Sequence, residues 1–100
     1  PGLDMAVAAG PYVRAAADGR VAGAGEDDVY GNFVLLQHGT EYETMYGHAS
    51  EIFVSEGDVV RRNEVIALSG STGRSTAPHL HFEVRRAGEP VNPLDFVSQP

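Results

Sequence analysis

His79-Leu80-His81-Phe82-Glu83 alternates polar and apolar residues with a period of two. On a β-strand this sets His79, His81 and Glu83 on one face and Leu80, Phe82 and Val84 on the other. The apolar face has a core to join. The polar face carries two imidazoles that can converge on one point, an arrangement suited to a metal ligand beside a proton-transfer group. The chain has four histidines, and two of them are here. A histidine pair on a half-buried strand is equally compatible with a hydrogen-bonded surface feature, so the pair alone leaves both readings standing.

Outward from this strand the pattern stays β. No stretch shows a convincing amphipathic-helix period, and 12 Gly and 6 Pro punctuate short β-rich segments, which predicts an all-β domain. Strands are expected over Tyr12 to Ala16, Arg20 to Ala24, Phe33 to His38, Glu41 to Gly47, Val59 to Val60, Val65 to Ser69 and His79 to Arg86. Ala17-Asp18-Gly19-Arg20 reads as a tight hairpin with Gly19 at positive φ. Gly39-Thr40 turns the third segment back into the fourth. Ser55-Glu56-Gly57-Asp58 and Arg61-Arg62-Asn63-Glu64 read as two further turns, with Asn63 in a left-handed slot. Asn92-Pro93-Leu94-Asp95-Phe96 suggests a turn and a short closing segment.

One hundred residues, 42% of them hydrophobic, make a single domain over 1–100 with one modest core. No run approaches the length of a membrane-spanning helix, and no signal peptide is present, so no membrane insertion is expected. The absence of cysteine excludes a disulfide framework and any thiolate metal site. The net charge is −7, with seven arginines and no lysine. That balance gives no basic footprint for nucleic acid or an anionic membrane surface.

The remaining candidates are weak singly. His48 ends an alternating segment after Gly47, as a turn residue would. Asp4, in Gly2-Leu3-Asp4-Met5, is by default a solvated carboxylate. His38 reads as a strand-end residue with no chemistry. Glu83 shares the face of the two histidines, either orienting an imidazole or serving as surface charge. The loop Gly70-Ser71-Thr72-Gly73-Arg74-Ser75-Thr76-Ala77-Pro78 is built of small residues that allow close approach of a ligand.

Their order along the chain joins these pieces. Gly2-x-Asp4, then Tyr46-x-His48, then Ser71-Thr72-Gly73 running into Pro78-His79-Leu80-His81-Phe82-Glu83, resembles the zinc metallopeptidases typified by lysostaphin and the LytM-type cell-wall endopeptidases, peptidase family M23. The resemblance extends over nearly the whole chain. Pro11 to Val21 is similar to the family's first hairpin, Tyr30 to Val34 to its next strand, and Val54 to Ser69 to its Val-x-x-Gly-Asp-x-Val segment. Ala77 and Asn63 stand where the family usually has Gly.

The resemblance implies a compact antiparallel, lysostaphin-like sheet structure (a duplicated hybrid motif) with a substrate groove. It implies zinc as cofactor, Asp4 and His81 as zinc ligands, and His48 and His79 as the two catalytic histidines that do not bind metal. Tyr30 and Asn32 are expected to line the groove. The family's remaining ligand is a histidine that would fall immediately before Pro1, so the domain reads as truncated at its N-terminus. The implied activity is hydrolysis of peptide cross-links in bacterial peptidoglycan, in the cell envelope, periplasmic or extracellular, with peptidoglycan peptide stems as partner. The rival within the same fold is a catalytically inactive LytM-type domain that binds and activates a separate cell-wall hydrolase. A third class, a carrier module, shares the Gly57-Asp58-x-Val60 turn, but the lipoyl and biotinyl kinds need a modifiable lysine. A phosphocarrier would need a phosphorylatable histidine, for which His79 is the candidate.

Overall fold

A computed structural model describes residues 7–9, 11–69, 80–87 and 89–91. The regular elements among them are nine β-strands: β1 (Ala8–Ala9), β2 (Tyr12–Arg14), β3 (Gly19–Asp27), β4 (Gly31–His38), β5 (Tyr42–Ile52), β6 (Val59–Val60), β7 (Val65–Ser69), β8 (His81–Arg86) and β9 (Glu89–Val91). Every pairing is antiparallel, in the order β1-β2-β7-β5-β4-β3-β6, with β8 also on β5 and β9 on β8. The all-β expectation holds.

Strand β5 organises this sheet. It is the longest strand, and it pairs with three others. Tyr42 to Gly47 lie against β8, whereas Ala49 to Ile52 lie against β7. Along its other edge runs β4. The expected end of this strand at Gly47 is therefore wrong. The glycine sits inside the strand, at the point where one partner is exchanged for another.

The core lies on one face of the sheet. Val13, Val21, Val34, Leu36, Tyr46, Val60 and Ile66 are each at most 1% exposed and pack as one cluster with Val7 and Ala67. Leu80 and Phe82 pack against that cluster, and Val84 is buried. The inward face of β8 is thus the one alternation predicts. Phe82 touches the Tyr46 ring, with centroids 5.4 Å apart. It is only partly buried, because its outer side borders a cleft of about 320 Å³ shared with Ala16, Tyr42, Thr44 and Val84.

The expected Ala17–Arg20 hairpin is not formed. Strand β2 pairs with β1 and β7, and β3 pairs with β4 and β6, so the two strands flanking this turn are not neighbours. Nor is Gly19 among the residues at positive φ. Its lack of a side chain matters for space instead. A Cβ there would lie 2.6 Å from the Gln37 carbonyl oxygen and 2.7 Å from His38 Nδ1. The turn expected over Asn92 to Phe96 lies outside the described residues; the other turns match expectation. Gly39 (φ 67°), Gly57 (φ 97°) and Asn63 (φ 71°) are all left-handed.

The close approach at Gly19 admits His38, which does more than end a strand. Its Nδ1 lies 2.7 Å from the Asp18 carbonyl oxygen and its Nε2 2.6 Å from Thr44 Oγ1. Thr44 Oγ1 is 2.7 Å from the Tyr46 hydroxyl, which accepts from Ala16 N at 2.9 Å. A carbonyl can only accept, so Nδ1 carries the proton of the neutral ring. Thr44 then donates to Nε2 and Tyr46 donates to Thr44. One directed chain satisfies every polar atom in it and ties β4, β5 and the segment before β3 together.

Two outcomes follow from these contacts. Gly19→Ala should cost about 1–3 kcal/mol, as overpacked sites do. Gly25→Ala, whose Cβ would meet nothing within 4 Å, should be near neutral, and chemical denaturation of the two variants checks the contrast. Tyr46 provides the second. Burial pushes its hydroxyl up from 10.0 to about 12, against the opposing hydrogen bonds it shares with Thr44 and accepts from Ala16 N. The unfolded chain thus loses this proton first as pH rises, and stability present below pH 10 should fall by about 2–3 kcal/mol as pH climbs to about 12. Tyr46→Phe should start less stable, yet show a shallower alkaline decline in the same measurement.

Candidate functional site

Opposite residues on neighbouring strands share a face. Gly47 opposes His81 and Met45 opposes Glu83, whereas Tyr46 opposes Phe82 and Thr44 opposes Val84. One face is therefore the core, and the other carries His81, Glu83 and Arg85. By simple alternation His48 would fall with Tyr46, on the core side.

A bulge prevents that. Asn32 pairs with Ala49 and Val34 with Tyr46, so Gly47 and His48 together oppose the single residue Phe33. An extra residue of this kind kinks the strand and re-aims a side chain. His48 takes φ 61°, a left-handed conformation that is costly for a residue with a Cβ. Its backbone N–H is held by the Tyr30 carbonyl oxygen at 2.6 Å. The result brings the His48 ring to 6.0 Å from that of His81, edge-on at 86°. Space is tight at Gly47 beside it. A Cβ there would meet Tyr30 O at 3.2 Å, Tyr30 Cβ at 3.3 Å and His81 Cβ at 3.4 Å.

Tyr30 sits in the turn between β3 and β4, which Asp27 shapes by accepting from the N–H groups of Val29 and Tyr30 at 3.3 and 3.0 Å. The Tyr30 ring lies 5.3 Å from the His81 ring, and its hydroxyl donates to Glu83 Oε2 at 3.2 Å. His81 Nε2 lies 2.6 Å from the same oxygen. Arg85 completes the cluster, donating from Nε to Glu83 Oε1 at 3.1 Å and from Nη2 to the Tyr30 hydroxyl at 2.9 Å. Partial burial pushes the Glu83 carboxyl up. The hydrogen bonds from His81, Arg85 and Tyr30 and the Arg85 charge outweigh that, so it titrates below the ordinary carboxylate value. The same pairing holds the Arg85 guanidinium above its usual value despite partial burial.

An ionised carboxylate only accepts, so the contact with Glu83 puts the His81 proton on Nε2. The Nδ1 lone pair is left on the other side of a side chain that is 41% exposed. This is the chemistry a histidine metal ligand needs, with its second nitrogen tied by a carboxylate. Among the described residues no group of three or more His, Cys, Asp or Glu converges on one metal position. Asp4 and His79 lie outside the described residues. Of the expected groove residues, Tyr30 stands beside His81, while Asn32 spends its amide on the Ala49 carbonyl oxygen at 3.1 Å and so supports the bulge.

Sequence reasoning passed over Arg85. Period two continues from His81 through Glu83 to Arg85, so the signal was present. The bulge at His48 left only the trace of a glycine before the histidine.

Residues 1–93 match the family model described as Peptidase family M23. The chain is 50% identical over 96 residues to the DD-carboxypeptidase/endopeptidase Mpg of Neisseria meningitidis, covering 96% of this chain and 22% of that protein. It is 40% identical over 99 residues to the murein hydrolase activator NlpD of Salmonella dublin, covering 98% of this chain and 26% of that one. The chain thus spans about a quarter or less of the length of these relatives. Among solved structures, the catalytic domain of lysostaphin from Staphylococcus simulans superposes with a TM-score of 0.78 at 33% identity, over 90% of this chain and 72% of that one.

The packing around Gly47 yields a test. Gly47→Ala should shift His81 and Tyr30 by a few tenths of an ångström and cost about 1–3 kcal/mol. Changed His81 side-chain resonances, with the strand pattern of amide shifts retained, would be the expected record.

Proposed function

The chain belongs to peptidase family M23, and from that premise we propose that it is a zinc-dependent endopeptidase domain hydrolysing peptide cross-links of bacterial peptidoglycan in the cell envelope, periplasmic or extracellular. The observation that carries this reading is the meeting of His48 and His81 on the polar face of the sheet, with the His81 proton held on Nε2 by Glu83. Similarity to the peptidoglycan DD-endopeptidase ShyA of Vibrio cholerae, 44% identical over 93% of this chain, supports the choice of substrate.

Asp4 and His81 would hold the zinc together with a histidine immediately before Pro1. When bound, the metal supplies Lewis acidity to the scissile carbonyl and to a water. The remaining chemistry falls to the protein. His48 and His79 share two tasks: an imidazole nitrogen takes the water's proton and returns it to the leaving amine, and a ring N–H donates to the oxygen that gains negative charge. Tyr30 borders the groove beside His81 and limits where a peptide stem can lie.

The likeness to a murein hydrolase activator supports a second reading, in which the same face docks a separate cell-wall hydrolase without cleaving. One experiment separates the two. In protein carrying a histidine before Pro1, His81→Ala should lose both zinc and release of soluble peptide from purified peptidoglycan. His48→Ala and His79→Ala should keep zinc and lose about 10²–10⁴-fold in turnover. A protein that cleaves nothing yet speeds a partner hydrolase would establish the activator reading and overturn the enzyme.

A further inference from the structure

We propose that Arg85 and Tyr30 are positioning residues that act through Glu83 to lock His81 as its Nε2–H tautomer, presenting Nδ1 to the groove. Four contacts join these groups, three of them on one carboxylate. Oε2 takes His81 Nε2 and the Tyr30 hydroxyl, and Oε1 takes Arg85 Nε. The fourth, from Arg85 Nη2 to the Tyr30 hydroxyl, closes the ring of bonds. A guanidinium is planar and rigid, so Nε and Nη2 grip Glu83 and Tyr30 at a fixed separation, which a lysine ammonium cannot reproduce. The Arg85 Cζ also lies 5.7 Å from the Tyr30 ring centroid, on the ring whose other contact is His81.

With both oxygens held, the carboxylate cannot rotate its acceptor away from His81. The hydroxyl proton of Tyr30 is directed as well: it accepts from Arg85, so it gives its own hydrogen to Glu83. Each member thereby has one role in the chain of donors. A loosened Glu83 would leave the His81 ring free to turn or to place its proton on Nδ1, where it would block metal ligation.

The part of this inference that concerns metal rests on the zinc reading above, but the tautomer does not. In ¹⁵N-labelled protein, at a pH where the imidazole is neutral, His81 should report an Nε2–H tautomer with that proton protected from exchange with water. Arg85→Lys and Tyr30→Phe, both conservative in size, should lose the protection and drift towards the tautomer mixture of free histidine. Zinc affinity, measured with the metal alone, should weaken by about 10–100-fold in both variants, as for other carboxylate-supported ligands. An Nδ1–H tautomer in the wild type, or an unchanged protected Nε2–H in both variants, would overturn the proposal. If protein carrying a histidine before Pro1 takes up no zinc, the zinc reading falls while the imidazole signals still decide the lock.

Discussion

The bulge at Gly47–His48 is the constraint on which the site depends. It lies where β5 leaves β8 and joins β7, so one extra residue both bends the sheet and turns His48 away from the core. A left-handed φ in a residue with a side chain costs on the order of 1–2 kcal/mol. The bond from His48 N to Tyr30 O and the Asn32 amide on Ala49 O hold the strand in that shape from either side. Remove the bulge and alternation would return His48 to the face of Tyr46, where Val34 and Leu36 fill the space.

Tyr30 is the part of the site that reaches furthest. Its backbone N–H is fixed by Asp27, its carbonyl fixes His48, its ring lies against His81, and its hydroxyl joins Glu83 to Arg85. A single turn residue therefore sets the relative position of two histidines on different strands. The carboxylate and guanidinium it connects neutralise one another locally, within a chain of net charge −7.

The two faces of β5 depend on each other. Burial of Tyr46, Val84 and their neighbours fixes the register of β8 against β5, because a slip of one residue would exchange Phe82 with His81. The directed chain from Ala16 through Tyr46 and Thr44 to His38 strengthens that register from the core side. Such a lysostaphin-like frame hosts both peptidases and activators, since fold alone does not carry chemistry.

The sequence by itself determined the strand class, the turns at Gly39, Gly57 and Asn63, and the inward face of Leu80, Phe82 and Val84. These are local properties: period-two alternation and the preference of Gly and Asn for positive φ act within a few residues. The polar face of His81 and Glu83 was legible for the same reason, and Arg85 could have been read with them. The misread hairpin at Ala17–Arg20 had the right turn chemistry, but β2 found its partner in β7, some fifty residues away. Only the tertiary structure decided the bulge that aims His48, the four-way use of Tyr30 and the space requirement at Gly19. Each arises from pairing between strands distant in sequence, where an inserted residue or a close backbone approach has no periodic signature to leave behind.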